Sequence, residues 1–167
     1  MNLNPGDTVV HIRDGVARVI RIEEVALNDD ESGLYCILSP IYDQGSKLYV
    51  PLERADTFLR PLITREEINE LITSLPEREA VWISDEKERQ RTLQQDLKSG
   101  SHEALLTIIT SLYQKRREIG KTGKKFHSAD EHFLKEAEKT INREFAYVLG
   151  IAPDEVPEYI HNRLKNS

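Results

Sequence analysis

The spacing of apolar residues changes once along this chain, near residue 63, and this change constrains the fold more than any other feature. Residues 1–62 carry short runs rich in valine and isoleucine, separated by glycine, asparagine, aspartate and serine. Such runs between turn residues indicate strands. After residue 63 apolar residues recur every three to four positions, which is the period of an α-helix. We therefore predict an α+β fold, with a small β-domain over residues 1–62 and an all-α helical domain over residues 63–167.

The β-domain is predicted to contain five short strands. Gly15 separates the first two, where a tight hairpin needs a residue that tolerates positive φ. Pro51 has no N–H to donate to a ladder, so its strand either ends there or runs along an edge. Strands of this length and spacing predict a strongly bent five-stranded sheet or a partly open barrel, of a kind that docks on another protein. The predicted strands cover residues 7–12, 15–25, 33–40, 46–51 and 56–60.

Capping signals and helix breakers divide the helical domain. The segment Thr64–Glu67 has the spacing of a capping box, in which each side chain accepts a hydrogen bond from the other residue's backbone N–H. Pro76 is predicted to end this helix. Ser101 is predicted to cap another helix, and Ser128–Glu131 has the spacing of a second capping box. Further helices are predicted over residues 85–98 and after Pro153, and the set is predicted to pack as a bundle.

The net charge excludes a generally basic, nucleic-acid-binding protein. The chain carries −6 overall, and its two halves have 6 Lys+Arg against 10 Asp+Glu (residues 1–62) and 17 against 19 (residues 63–167). Any contact with nucleic acid must therefore use a local patch. Such a patch could bind phosphates, or it could only complement the dipole at a helix C-terminus. The clearest candidate comprises Lys115, Arg116, Arg117, Lys121, Lys124 and Lys125.

The sequence predicts a cytoplasmic protein with no membrane segment. Its single cysteine, Cys36, cannot form an internal disulfide, which fits a reducing compartment. No run of 18 apolar residues is present, and the polar start Met1–Pro5 lacks the apolar region of a signal peptide.

No pattern of catalytic residues is evident, and we predict that the protein is not an enzyme and needs no cofactor. The five histidines lack metal-binding spacing, and Cys36 has no partnered base and is expected to be a core residue. Paired carboxylates such as Glu66–Glu67 lie in first turns of helices, where they complement the dipole. No glycine-rich phosphate loop follows a strand.

Several short motifs follow one another along the chain. They are Gly6-Asp7-Thr8-Val9-Val10, Gly15-Val16-Ala17, Val50-Pro51 with Glu53, Trp82, Leu97-Lys98-Ser99-Gly100 and Phe133-Leu134-Lys135-Glu136-Ala137. Their order and spacing resemble the CarD family of bacterial transcription regulators over nearly the whole chain. The chain differs from some members of the family at two positions, Tyr49 and Val25, where those members carry arginine.

The resemblance implies a function in transcription initiation. It implies a Tudor-like N-terminal domain, similar to the polymerase-interacting domain of transcription-repair coupling factor, that binds the β subunit of RNA polymerase. The polymerase-binding residues would be Leu48, Tyr49, Val50 and Pro51. Docking by strand addition would not need the two differing arginines, since main-chain hydrogen bonds supply much of its affinity. The helical domain would contact promoter DNA at the upstream edge of the bubble and slow bubble collapse.

Trp82 has two interpretations. The resemblance implies a wedge in the minor groove, which needs a large apolar ring beside phosphate-binding cations, and Lys87, Arg89 and Arg91 follow at helical spacing. Alternatively, the indole packs between the two domains, and the cations belong to a solvated helix with i,i+4 ion pairs. The DNA-binding candidates are thus Trp82, Lys87, Arg89, Arg91, Lys124 and Lys125.

The sequence as a whole predicts a monomeric transcription regulator that binds the RNA polymerase β subunit and promoter DNA, without sequence specificity in its basic patches. The alternative is an adaptor whose β-domain binds some other protein and which never contacts DNA. The net negative charge of residues 63–167 favours that alternative.

Overall fold

A computed structural model describes residues 1–166 of the chain. The described residues form two compact units, of which the first is Met1–Ile63 and the second begins at Thr64. None of the helices in the described part is both long enough and apolar enough to cross a membrane.

The N-terminal unit is a five-stranded antiparallel sheet. The strands are β1 (Thr8–His11), β2 (Gly15–Ala26), β3 (Ser32–Pro40), β4 (Leu48–Pro51) and β5 (Leu59–Arg60). Their spatial order is β4-β3-β2-β1-β5, which leaves β4 and β5 at the two edges. Together with the helices that follow, this sheet confirms the α+β class.

A bulge and one buried cluster give the sheet its shape. Val19 pairs with Leu38 and Arg21 pairs with Ile37, so Ile20 is an extra residue in β2. Such a bulge bends its strand and increases the local twist. One face of the sheet carries the core cluster of Leu3, Val9, Ala17, Val19, Cys36, Leu38, Val50, Ala55 and Leu59. Burial raises the pKa of the Cys36 thiol, as expected for a core cysteine.

The predicted fifth strand is wrong over most of its length. Residues Leu52–Arg54 form a 3₁₀ turn and Ala55–Phe58 form a short helix, α1, so that only Leu59–Arg60 pairs with β1. The segment 55–58 has one β-branched residue, Thr57, and begins with alanine, which favours helix. Proline at position 51 also ends β4 without donating to the ladder.

The second unit consists of five helices. They are α2 (Arg65–Ser74), α3 (Glu86–Ser99), α4 (His102–Lys121), α5 (Ser128–Leu149) and α6 (Val156–Lys165). Helices α4 and α5 pack against each other, and α3 packs on both. Their buried apolar side chains include Leu93, Leu105, Ile108, Leu112, Leu134, Ile141 and Phe145.

The capping and breaking signals of the sequence mark the observed helix boundaries only in part. The Thr64–Glu67 capping box is present, but Pro76 lies inside a 3₁₀ turn, Leu75–Glu77, that continues from α2. The second predicted capping box is wrong, because His127 is the N-cap of α5 and its side chain accepts from the Ala129 N–H. Ser128 is therefore the first helical residue. Helix α4 also continues through Gly120 to Lys121.

Candidate protein- and nucleic-acid-binding surfaces

Strand β4 is an edge strand. It pairs with β3 through Leu38↔Leu48, Ile37↔Tyr49, Cys36↔Val50 and Tyr35↔Pro51, and it stands last in the strand order. In the described part of the chain no strand lies on its other side. An edge strand presents unpaired backbone groups to which a strand of another protein can add.

The four residues predicted to bind polymerase divide between two faces of β4. Val50 is only 2 % exposed and belongs to the core cluster, and Leu48 packs against that cluster. Tyr49 points to the opposite face and is 53 % exposed. Pro51 is half-buried at the end of the strand. Among the four, Tyr49 therefore offers a partner the largest side-chain surface.

A charged pair accompanies Tyr49 on this outer face. Arg21, Ile37 and Tyr49 are aligned across β2, β3 and β4. The Arg21 Nε donates to Glu23 Oε2 at 2.8 Å, and this hydrogen bond lowers the pKa of Glu23. The outer face near β4 thus combines an exposed aromatic ring with a cation and an anion that already satisfy each other.

Trp82 lies in an irregular segment between α2 and α3 and is fixed within the helical unit. The N–H of Val81 donates to Ser111 Oγ at 2.8 Å, which anchors the segment to α4. The Arg89 Cζ lies 4.2 Å from the centroid of the Trp82 ring, and the Lys115 Nζ lies 4.8 Å from it. Cations at these distances are attracted to the π-face of indole. The ring is half-buried, and its neighbour Val81 is 58 % exposed.

Arg89 lies in the interior of the helical unit. Its Nε and Nη2 donate to Asp130 Oδ1 and Oδ2, each at 3.0 Å, and its Nη1 donates to the Ile83 carbonyl at 3.0 Å. The two side chains of the pair are only 8 % and 1 % exposed. A guanidinium bound on these sides has little left to offer a phosphate, so the structure gives Arg89 a different role from the one that its sequence position indicated.

The other two cations of α3 are exposed. Asp85 caps this helix by accepting from the Glu88 N–H at 2.9 Å. Lys87 and Arg91 are four residues apart and share the solvent face, whereas Arg89 and Leu93 form the buried face. Lys87 and Arg91 are therefore accessible to a ligand, and the predicted group of three cations is divided by the helix.

Only some of the cations in the basic segment after residue 114 are accessible to a ligand. Lys115 contacts Trp82, and Arg116 donates to Glu131 Oε1 at 3.0 Å. Lys124 and Lys125 are exposed beyond the end of α4 and, among the residues described, make no ion pair. These two lysines are accessible to phosphate, as are the exposed side chains of Arg117 and Lys121 in the same patch.

No pattern in the sequence indicated that three residues lie at or near Trp82: Lys115, which was predicted only as part of the basic patch, Asp130, which binds Arg89, and Ser111, which binds Val81. Asp130 has only the local signal of an acidic residue in a first turn, which complements the helix dipole whether or not it has a distant partner.

Within residues 1–166, no group of three or more histidine, cysteine or carboxylate side chains converges in a way that could hold a metal.

Comparison with known proteins identifies the N-terminal unit. The family described as the CarD-like/TRCF RID domain matches residues 3–63, which is the unit that carries β4. No curated protein matches the chain. The family is one of transcription proteins that interact with RNA polymerase. Residues 3–63 therefore form a CarD-like/TRCF RID domain, a type of domain that implies interaction with RNA polymerase in transcription.

Proposed function

We propose that this protein regulates transcription initiation by stabilising the open promoter complex. Its N-terminal unit binds the β subunit of RNA polymerase, and its helical unit contacts promoter DNA at the upstream edge of the bubble. The protein acts as a monomer in the cytoplasm and catalyses no reaction.

The exposed edge of β4 supports docking by strand addition. A partner strand would form main-chain hydrogen bonds along Leu48–Pro51, and its alternate side chains would lie on the two faces of the sheet. Tyr49 would supply apolar area and a hydroxyl on the exposed face. Tyrosine is among the residues that contribute most to protein interfaces, because it buries a large ring with little loss of side-chain freedom.

The setting of Trp82 is the observation that carries the DNA part of the proposal. It is the chain's single tryptophan, and two cations lie within 5 Å of its ring centroid. A side chain that wedges between base steps needs a large, rigid apolar ring, and a ring held in place loses little freedom on insertion. We assign phosphate contacts to Lys87, Arg91, Lys124 and Lys125, whose side chains are exposed. Arg89 is left out because its guanidinium binds Asp130.

The direct test measures two properties of the same protein: its binding to the polymerase β subunit and its effect on the half-life of the open promoter complex. Affinity-tagged protein should co-purify the polymerase β subunit, and adding the protein to preformed open complexes should lengthen their half-life against a polyanionic competitor. Capture of polymerase with an unchanged half-life would overturn the DNA part alone. Failure to bind purified polymerase would overturn the docking part.

The alternative is an adaptor that binds a protein and does not touch DNA. The charge of residues 63–167, with 17 basic against 19 acidic residues, favours it because a net anion is repelled by DNA at long range. A gel shift on a forked promoter fragment, with and without polymerase and at several salt concentrations, separates the two. The adaptor predicts that the protein adds no salt-dependent DNA affinity to polymerase.

A further inference from the structure

A buried ion pair connects Trp82 to the start of α5. Asp130 lies in the first turn of that helix, its side chain is 1 % exposed, and both of its carboxylate oxygens accept from Arg89 at 3.0 Å. This fork-to-fork geometry fixes the plane of the guanidinium, because two parallel hydrogen bonds allow it little rotation.

The same guanidinium holds both the indole and the backbone beside it. Its Cζ lies 4.2 Å from the Trp82 ring centroid, and its Nη1 donates to the carbonyl of Ile83, the next residue in the chain. The ring and the peptide after it are thus placed by one group, whose own position is set by Asp130.

A contribution to folding stability is a weak explanation for a buried ion pair such as Arg89 and Asp130. Replacing a buried ion pair by well-packed apolar residues is often neutral or stabilising, because burial removes the hydration of both charges. The fixed guanidinium plane supplies a second reason, since it gives a half-buried ring one orientation in an otherwise irregular segment.

We propose that Asp130 is a positioning residue for Trp82 and that it acts through Arg89. Its effect on promoter complexes rests on the proposed function, whereas its effect on the ring does not. In this arrangement the helical unit presents Trp82 already oriented, so binding to DNA does not have to restrict the ring.

The chain offers a direct test because Trp82 is its only tryptophan, so indole fluorescence reports on this site alone. In Asp130→Asn the guanidinium loses its anion. We expect higher acrylamide quenching and lower steady-state anisotropy than in the unchanged protein, measured well below the melting temperature. The matched control is Glu131→Gln, which removes the neighbouring carboxylate that binds Arg116 rather than Arg89, and it should leave both values unchanged. Equal quenching and anisotropy in Asp130→Asn and the unchanged protein would overturn the proposal.

A second variant separates positioning from folding. The double change Arg89→Met with Asp130→Leu replaces both charges by apolar side chains and should recover much of the melting temperature that Asp130→Asn loses. Its quenching should stay raised, because no guanidinium then orients the ring. Recovery of the original anisotropy along with the melting temperature would show that packing alone orients Trp82, and would overturn the role of Asp130.

The functional measurement is the half-life of the open promoter complex, which is independent of the fluorescence measurement. With polymerase saturated by protein, Asp130→Asn should shorten the open-complex half-life toward that of Trp82→Ala, and Glu131→Gln should not. If Trp82→Ala itself leaves the half-life unchanged, the proposed function is contradicted, and the fluorescence result still decides whether Asp130 positions the ring. A half-life that falls in Trp82→Ala but not in a fluorescence-altered Asp130→Asn would refute a positioning role in the promoter complex.

Discussion

Burial decides what individual charged side chains can do in this protein. Arg89 and Lys87 lie two residues apart on α3, yet one is enclosed with Asp130 and the other is exposed to solvent. The enclosed cation can orient a neighbouring ring, whereas the exposed one can exchange water or counterions for a phosphate. His11 is a further residue whose chemistry follows from its surroundings.

Protonation of His11 should destabilise the N-terminal unit. Its Nδ1 accepts from the backbone N–H groups of Arg13 and Asp14, and its ring stacks on Phe58. Burial lowers the pKa of His11 below its ordinary value of 6.5, and Asp14 offsets this only in part. The unfolded chain therefore takes up a proton at a higher pH than the folded chain does. Stability should be greatest above pH 6.5 and should fall as the pH drops from there through the folded-state pKa.

The matched variant for this prediction is His11→Asn. The Asn side-chain oxygen can accept from the same turn but does not titrate, so the slope of melting temperature between about pH 6.5 and pH 5 should become shallower. Thermal unfolding at several pH values measures it. Identical slopes in the two proteins would show that His11 does not contribute to this pH dependence.

At the scale of single elements, the residues at a helix end affect stability and the free edge of a strand affects partner binding. Helix α2 begins with a complete capping box, in which the Glu67 N–H donates to Thr64 Oγ1 at 3.1 Å and the Thr64 N–H donates to Glu67 Oε2 at 2.8 Å. Strand β4, in contrast, leaves one backbone edge open. The first arrangement stabilises its own helix, and the second provides an edge for a partner.

Thr64→Ala should destabilise the helical unit by about 1 kcal/mol, because it leaves a backbone N–H of the first turn without its side-chain acceptor. Thr64→Ser keeps the hydroxyl and should lose much less. Urea unfolding of the two variants provides the comparison. A similar loss in both would mean that the threonine methyl group, rather than the cap, is responsible.

Tyr49→Ala should weaken binding to polymerase about tenfold, which corresponds to about 1.4 kcal/mol, while leaving the fold intact. The matched control is Tyr113→Ala, which removes a tyrosine of similar exposure, 47 % against 53 %, from the helical unit. Val50→Pro is a more severe change to the same strand, but it also alters a core residue. Titrations against purified polymerase measure both tyrosine variants, and equal affinities would exclude Tyr49 from the interface.

At the scale of the whole molecule, local patterns predicted the elements better than the site. The period change near residue 63 and the Thr64–Glu67 spacing involve residues close in sequence, so they predicted the α+β fold and the start of α2. Arg89 and Asp130 are 41 positions apart, and no local pattern indicates that they meet. Ser128–Glu131 satisfied the spacing rule, but the adjacent His127 took the cap, because several side chains can accept from the same turn.

The two units should contribute separately to binding. Lys124→Glu with Lys125→Glu should weaken DNA association for all sequences and, if each lysine contacts one phosphate, make the salt slope about 1.8 units shallower. Polymerase affinity should not change, since the RID domain ends before these residues. The control is Arg163→Glu with Lys165→Glu, which changes the net charge equally at exposed positions of α6. Equal effects from the two pairs would indicate net charge rather than a phosphate-binding patch.

The open-complex half-life of Trp82→Ala tests the central claim most directly. Unstacking a base step costs a few kcal/mol, and a wedge offsets this cost where the duplex has already opened. A loss of about 1.4 kcal/mol would shorten the half-life about tenfold. Binding to closed duplex and to polymerase should be nearly unchanged, and Trp82→Phe should retain part of the effect. A large drop in melting temperature with an unchanged half-life would contradict the account and show that Trp82 only packs.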